Sequence, residues 1–69
     1  MKLSRLLTVS EDLSLILSIE KNEIPNGHYT LGIQSMDYLR QINNKLQITM
    51  DEKKAREFFE ELEKLKCFL

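Results

Sequence analysis

The segment that most restricts the fold of this chain is residues 49–69, "TMDEKKAREFFEELEKLKCFL". Thr49 and Glu52 have the spacing of a capping box, in which each side chain bonds the other residue's free backbone N–H. From Met50 onward, apolar residues recur at helical spacing between charged ones. The pattern predicts an amphipathic helix with one apolar face: Ala55, Phe58, Phe59, Leu62, Leu65 and Leu69.

A second helix is predicted in the middle of the chain, beginning at Gly32 or Ser35. It should end near Lys45, because two consecutive asparagines just before that residue disfavour a helix interior. The apolar positions that suggest helical spacing are Met36, Leu39, Ile42 and Leu46.

The segment from Leu13 to Ile19, "LSLILSI", has two interpretations that the residues leave open. Its leucines and isoleucines cover a wide helical arc, but every second residue is also apolar, as in a strand. We favour the helix, because Ser10 followed by two acidic residues is typical of a helix start. After it, Pro25-Asn26-Gly27 predicts a turn, and residues 28–31 a short extended segment.

With 69 residues, the chain is expected to form a single small domain over residues 1–69. Hydrophobic residues at 42% and charged residues at 30% are typical of a globular protein. The expected fold class is all-α, with three helices. One cysteine, no signal peptide and no membrane-spanning run indicate a cytoplasmic protein that does not enter a membrane.

Residue types that usually act in catalysis or bind metals form no recognisable site in this sequence. His28 is the only histidine and Cys67 the only cysteine, whereas a metal site or a nucleophilic pair needs several such groups together. The glutamates near the end alternate with lysines, as on a solvated helix surface. We therefore expect no enzyme activity, no metal, no cofactor and no small-molecule substrate.

The segment "SMDYLRQINNKLQI" followed by the capped helix resembles the second and third helices of winged-helix and helix-turn-helix domains. The resemblance covers residues 35–69. The chain stops at Leu69, where the wing hairpin would begin. The resemblance therefore implies a tri-helical domain without the wing. The matching residues are Leu46, Ile48 and Thr49 in the turn, then Ala55, Leu62, Glu63, Lys64 and Leu65.

This resemblance implies binding to DNA, with the last helix as the recognition helix in the major groove. The net charge of −1 argues against it, because proteins that read DNA normally present a clear basic face. Acidic residues on the same turns would also repel phosphate. The residues expected to contact DNA are Lys45, Thr49, Lys53, Lys54 and Arg56.

An exposed apolar surface is the other expectation from the sequence. Phe58 and Phe59 are adjacent and therefore about 100° apart on a helix, so a narrow core stripe accommodates one better than both. Leu3, Leu7 and Phe68 add further apolar surface near the two ends of the chain. These five residues are the predicted contacts with a protein partner or with a second copy in a homodimer.

Two functions follow from these patterns. The first, which we favour, is a small non-enzymatic regulatory protein that acts by protein–protein interaction, as an inhibitor or adaptor with an apolar docking face. The alternative is a helix-turn-helix transcriptional regulator that binds DNA.

Overall fold

A computed structural model describes all residues, 1–69, as a four-stranded antiparallel sheet followed by one helix. The strands are β1 (Lys2–Thr8), β2 (Leu13–Lys21), β3 (His28–Asp37) and β4 (Ile42–Asp51), and the helix is α1 (Glu52–Lys66). The strands lie side by side in chain order, β1-β2-β3-β4. Each strand is therefore joined to its neighbour by a hairpin, and β1 and β4 form the edges.

The register of the strands separates their side chains onto two faces, because successive residues of a strand point to opposite sides. One face, which we call the apolar face, contains Leu3, Leu15, Leu17, Ile19, Leu31, Ile33, Leu46, Ile48 and Met50. The other, the polar face, is mostly serine, threonine, glutamine and charged residues, with Leu6, Ile16 and Met36 among them.

The two later hairpins each contain a turn residue with positive φ, but only one of these residues is a glycine. Between β2 and β3, the backbone N–H of Asn22 donates to the His28 carbonyl at 2.8 Å, and Gly27 has φ of 81°. The predicted turn at Pro25-Asn26-Gly27 lies in this connection. Between β3 and β4, an Asp37 carboxylate oxygen accepts from the Arg40 N–H at 3.1 Å, and Gln41 has φ of 57°. Glycine adopts positive φ at little cost, whereas glutamine does not.

Helix α1 begins directly after β4 but not at the predicted capping box. Asp51 is the N-cap, and its carboxylate accepts from the backbone N–H of Lys54 at 2.8 Å. Thr49 is still part of β4. Asp51 is still extended and Glu52 is already helical, so the last strand passes directly into the helix, which runs for 15 residues.

The expected all-α, three-helix fold and the helix-turn-helix resemblance are wrong, since the structure is mostly strand with one helix. The helix predicted from Gly32 or Ser35 to near Lys45 does not form, and these residues belong to β3, a turn and the start of β4. The apolar residues whose spacing suggested this helix are not on one face of the structure. Met36 lies on the polar face, Leu39 in the turn and Ile42 on the apolar face.

The segment Leu13–Ile19 is also a strand, so the helix that we favoured there is wrong. Ser10 caps no helix. It lies in the β1–β2 connection, where its hydroxyl accepts from the Asp12 N–H at 3.3 Å. The short extended segment expected at residues 28–31 belongs to the longer strand β3. The segment Leu13–Ile19 is a strand because it pairs with β1 on one side and β3 on the other. Its alternation of apolar and polar residues suits a central strand in such a sheet.

Little of the molecule is a closed core. Ala55 on α1 is the one buried hydrophobic residue, at 5% exposure, and no large side chain is fully buried. The molecule is thin, with principal dimensions of 39 × 31 × 15 Å. The helix and the apolar face of the sheet therefore shield each other only in part.

Candidate functional site: an apolar groove

A groove with a volume of about 510 Å³ lies between α1 and the apolar face of the sheet. We call it the apolar groove. Eleven of its 14 lining residues are hydrophobic. The lining residues are Leu3, Arg5, Leu17, Ser18, Ile19, Leu31, Gly32, Ile33, Leu46, Ile48, Met50, Phe58, Phe59 and Leu62.

Cross-strand pairing assembles the floor of the groove in two rows. Leu3, Ile19, Leu31 and Ile48 are successive partners across all four strands and form one row. The neighbouring row is Arg5, Leu17, Ile33 and Leu46. Because directly opposed side chains on one face lie about 5 Å apart, each row is a continuous band of side chains across the sheet.

The helix covers this floor unevenly. Cα atoms of α1 come within 8 Å of Cα atoms of β3 and β4, but of none in β1 or β2. The side chains on the floor remain accessible: Leu17 is 42% exposed, Ile33 44% and Leu46 57%. Ile33 and Leu46 belong to β3 and β4, so the helix covers even these two strands only in part. The groove is thus open to solvent over the centre of the sheet.

The wall of the groove on the helix side is aromatic. The rings of Phe58 and Phe59 contact edge to face, with centroids 5.7 Å apart and planes at 82°. They remain 36% and 45% exposed. Both rings line the groove beside Leu62, so the adjacent pair widens the apolar side of the helix.

Arg5 is the only charged residue in the groove. Its guanidinium Nη1 donates to the neighbouring Ser4 carbonyl at 3.2 Å, and it belongs to none of the four ion pairs of the protein. Ser18 and Gly32 also border the groove, but they are direct partners on the polar face, where a Cβ atom at Gly32 would lie 2.6 Å from the Ser18 hydroxyl oxygen. Polar groups that could orient a small molecule are therefore few.

The predicted partner-binding residues lie at different places relative to the groove. Leu3, Phe58 and Phe59 line it. Leu7 is on the same face of β1, paired with Leu15, but outside the groove. Phe68 follows the end of α1 and is 93% exposed.

The predicted DNA-binding residues are not brought together on one surface. Lys45 and Thr49 lie on the polar face of β4, away from α1. On the helix, Lys54 pairs with Glu57 at 3.1 Å and Arg56 with Glu52 at 3.6 Å, while Lys53 makes no ion pair. These five residues were predicted from the recognition helix of a helix-turn-helix fold. Because the protein does not have that fold, the arrangement does not exist here.

Residues that could ligate a metal are dispersed. No three residues among the histidine, cysteine, aspartates and glutamates of the chain come together. His28 begins β3, with its Nδ1 atom 3.4 Å from the Asn26 carbonyl oxygen, and Cys67 is an exposed free thiol after α1. Neither residue lies in the apolar groove. The helix itself is not long and apolar enough to cross a bilayer.

Sequence reasoning missed most of the groove, including Arg5, Leu17, Ile33 and Leu46. The signal was present in the alternation of apolar and polar residues along β3 and β4, at Leu31 and Ile33 and again at Leu46 and Ile48. This alternation was overlooked because Met36 and Ile42 also fit the spacing of a helix.

Comparison with protein-family models, with curated proteins and with solved structures found no match. The groove and its surroundings are therefore the basis for a functional proposal.

Proposed function

We propose that this protein is a non-enzymatic interaction module that binds the apolar surface of a protein partner in its apolar groove. The observation that carries the proposal is the exposure of Leu17 and Ile33, which are 42% and 44% accessible at the centre of the sheet. Central strands normally bury their apolar face under another layer. Contiguous apolar surface left open in this way is typical of a protein-interaction site.

The chemistry of the groove favours a protein over a small molecule. Small-molecule sites place several polar groups among apolar walls to fix the orientation of the ligand. Here Arg5 and Ser18 are the only residues with polar side chains. Aromatic residues and arginine with few other charges are instead characteristic of the centre of protein interfaces, and Phe58, Phe59 and Arg5 have this composition.

A protein of this kind acts by occupying or bridging other surfaces, as an inhibitor or an adaptor does. Its location, we propose, is the cytoplasm, where a reducing environment keeps an exposed thiol such as Cys67 free. The binding energy would come from the floor and the aromatic wall of the groove.

Site-specific photo-crosslinking tests this function in the cells that produce the protein. A benzophenone amino acid replaces Leu46, on the floor of the groove, or the neighbouring Lys45, whose side chain is on the polar face. The two positions are adjacent in β4 and both exposed, so they differ mainly in the face they probe. Irradiation should give protein adducts from position 46 and few from position 45. Adducts from position 45 alone, or from neither position, would refute the proposal.

A further inference from the structure

We infer that the occupant of the apolar groove is a second copy of this chain, which makes the protein a twofold-symmetric dimer. The inference rests on the proposed function, because it names the partner for the same groove. Three properties of the protomer support it: its excess surface, its lack of a core, and an apolar projection on the same chain.

The protomer exposes more surface than a folded monomer of its mass. Its accessible area is 6041 Å² for 8.2 kDa. The scaling of area with mass for monomeric proteins gives about 4500 Å², so the excess is about 1500 Å² per chain. Burying this excess on each of two copies makes an interface of about 3000 Å² in total, which is within the range of obligate homodimers.

The shape of the protomer agrees with this excess. Its radius of gyration is 13.9 Å, whereas a compact domain of this length has about 11 Å. No large side chain is fully buried. Because ordering each residue of the chain costs about 1–2 kcal/mol in backbone entropy, a sheet with so little burial gains stability by coming together with another apolar layer. A second copy is available at the same concentration whenever the protein is made.

The same chain carries an apolar projection to match the groove. Leu65 is 69% exposed and Phe68 93% exposed, at and just beyond the end of α1. In a twofold dimer the surface of each copy is complementary to itself, so the helix end of one copy enters the groove of the other and the reverse. A net charge of −1 per copy adds little repulsion to this association.

The mass of the protein in solution is the first test, measured by analytical ultracentrifugation over a range of concentrations. The wild type should sediment as a dimer. Leu3→Glu places a charge at the groove, and Leu6→Glu makes the same change on the polar face of the same strand. Leu3 and Leu6 are 52% and 64% exposed, so the two variants are matched. The dissociation constant should rise at least about tenfold for Leu3→Glu and change little for Leu6→Glu.

A second measurement locates the interface in the unmodified sequence, in case Leu3→Glu prevents folding. A nitroxide is attached to Cys67, the only cysteine, and the labelled protein is refolded together with copies that carry ¹³C-labelled methyl groups. In the proposed dimer, intermolecular broadening is strongest at the methyls of Leu3 and Leu17. It is weakest at Ile16, on the polar face.

The outcomes separate this inference from the function on which it rests. A monomer at all concentrations, or a dimer with broadening strongest at Ile16, overturns the second copy as occupant. If the protein is monomeric and the benzophenone at position 46 captures a different protein, the inference fails while the function stands. If that position captures nothing, both fail.

Discussion

Leu17 and Ile33 are direct partners across the two central strands of the sheet, β2 and β3, and each remains more than two-fifths exposed. The helix α1 approaches β3 and β4 but not β1 or β2, and Ile33 on β3 is nevertheless as exposed as Leu17 on β2. The centre of the sheet is therefore the place where the proposed second copy would add most to stability.

Stability should depend on protein concentration, because a partner that binds only the folded chain shifts unfolding by mass action. In thermal unfolding followed by circular dichroism, the midpoint of the wild type should rise with concentration. In the proposed dimer the second copy buries Leu17, so Leu17→Ser should lower the free energy of unfolding by about 2 kcal/mol or more, as for a buried leucine. It should also weaken the dependence on concentration.

The control for Leu17→Ser is Leu6→Ser on the polar face, where Leu6 is 64% exposed. Its cost should be below about 1 kcal/mol, because little apolar area is lost from contact. A midpoint independent of concentration, with equal small effects of both variants, would mean that nothing covers the groove in the pure protein.

The start of the helix should depend on Asp51 and not on Thr49. Asp51→Ala removes the carboxylate that accepts from the Lys54 N–H, so it should cost about 1 kcal/mol and reduce the helical signal at 222 nm. Asp51→Asn keeps an acceptor and should retain most of the helix. If Thr49→Ala reduces the helical signal more than Asp51→Ala, the capping box predicted from sequence operates after all.

Thr30 and Thr49 should be coupled across β3 and β4. Their hydroxyl oxygens are 3.0 Å apart, and the Thr30 hydroxyl donates to the Asn22 side-chain oxygen at 3.2 Å, so Thr49 is the donor to Thr30. A double-mutant cycle with Thr30→Val and Thr49→Val, read from denaturant unfolding, should give a coupling of about 0.5–1 kcal/mol. Simple additivity of the two substitutions would contradict the hydrogen bond.

The two positive-φ turn residues should respond in opposite directions to substitution. Gln41 has φ of 57°, and Gln41→Gly should stabilise the protein by up to about 1 kcal/mol, because a side chain costs energy in this conformation. Gly27 has φ of 81° with open space where a Cβ atom would stand, so Gly27→Ala should cost about 1 kcal/mol from backbone strain alone. Urea titration measures both, and effects of the same sign would contradict the assigned turn geometries.

Local signals in the sequence predicted some elements well and others poorly. The turn around Gly27 and the helix containing Phe58 and Phe59 were recognised, because both depend on interactions between residues close in the chain. The strands were not, because an apolar residue at Met36 or Ile42 fits a helical stripe as well as a strand when its neighbours in space are unknown.

The candidate site was only partly visible for the same reason. Leu3, Phe58 and Phe59 could be proposed as contacts from their excess of apolar surface. Arg5, Leu17 and Leu46 could not, because they come together only through the pairing of all four strands. The whole of β2 and β3 lies between Arg5 and Leu46 in the chain, and a single sequence contains no record of their register.

The sequence by itself determined the amphipathic character of α1, the turn at Gly27 and the overall surplus of apolar residues. These depend on residue type and on spacing within a few positions. Tertiary structure alone decided that most of residues 13–51 form strands and that Asp51, not Thr49, caps the helix. It also decided that the apolar side chains collect in one open groove. Strand pairing joins residues distant in the chain, and its energy comes from neighbours that local patterns do not specify.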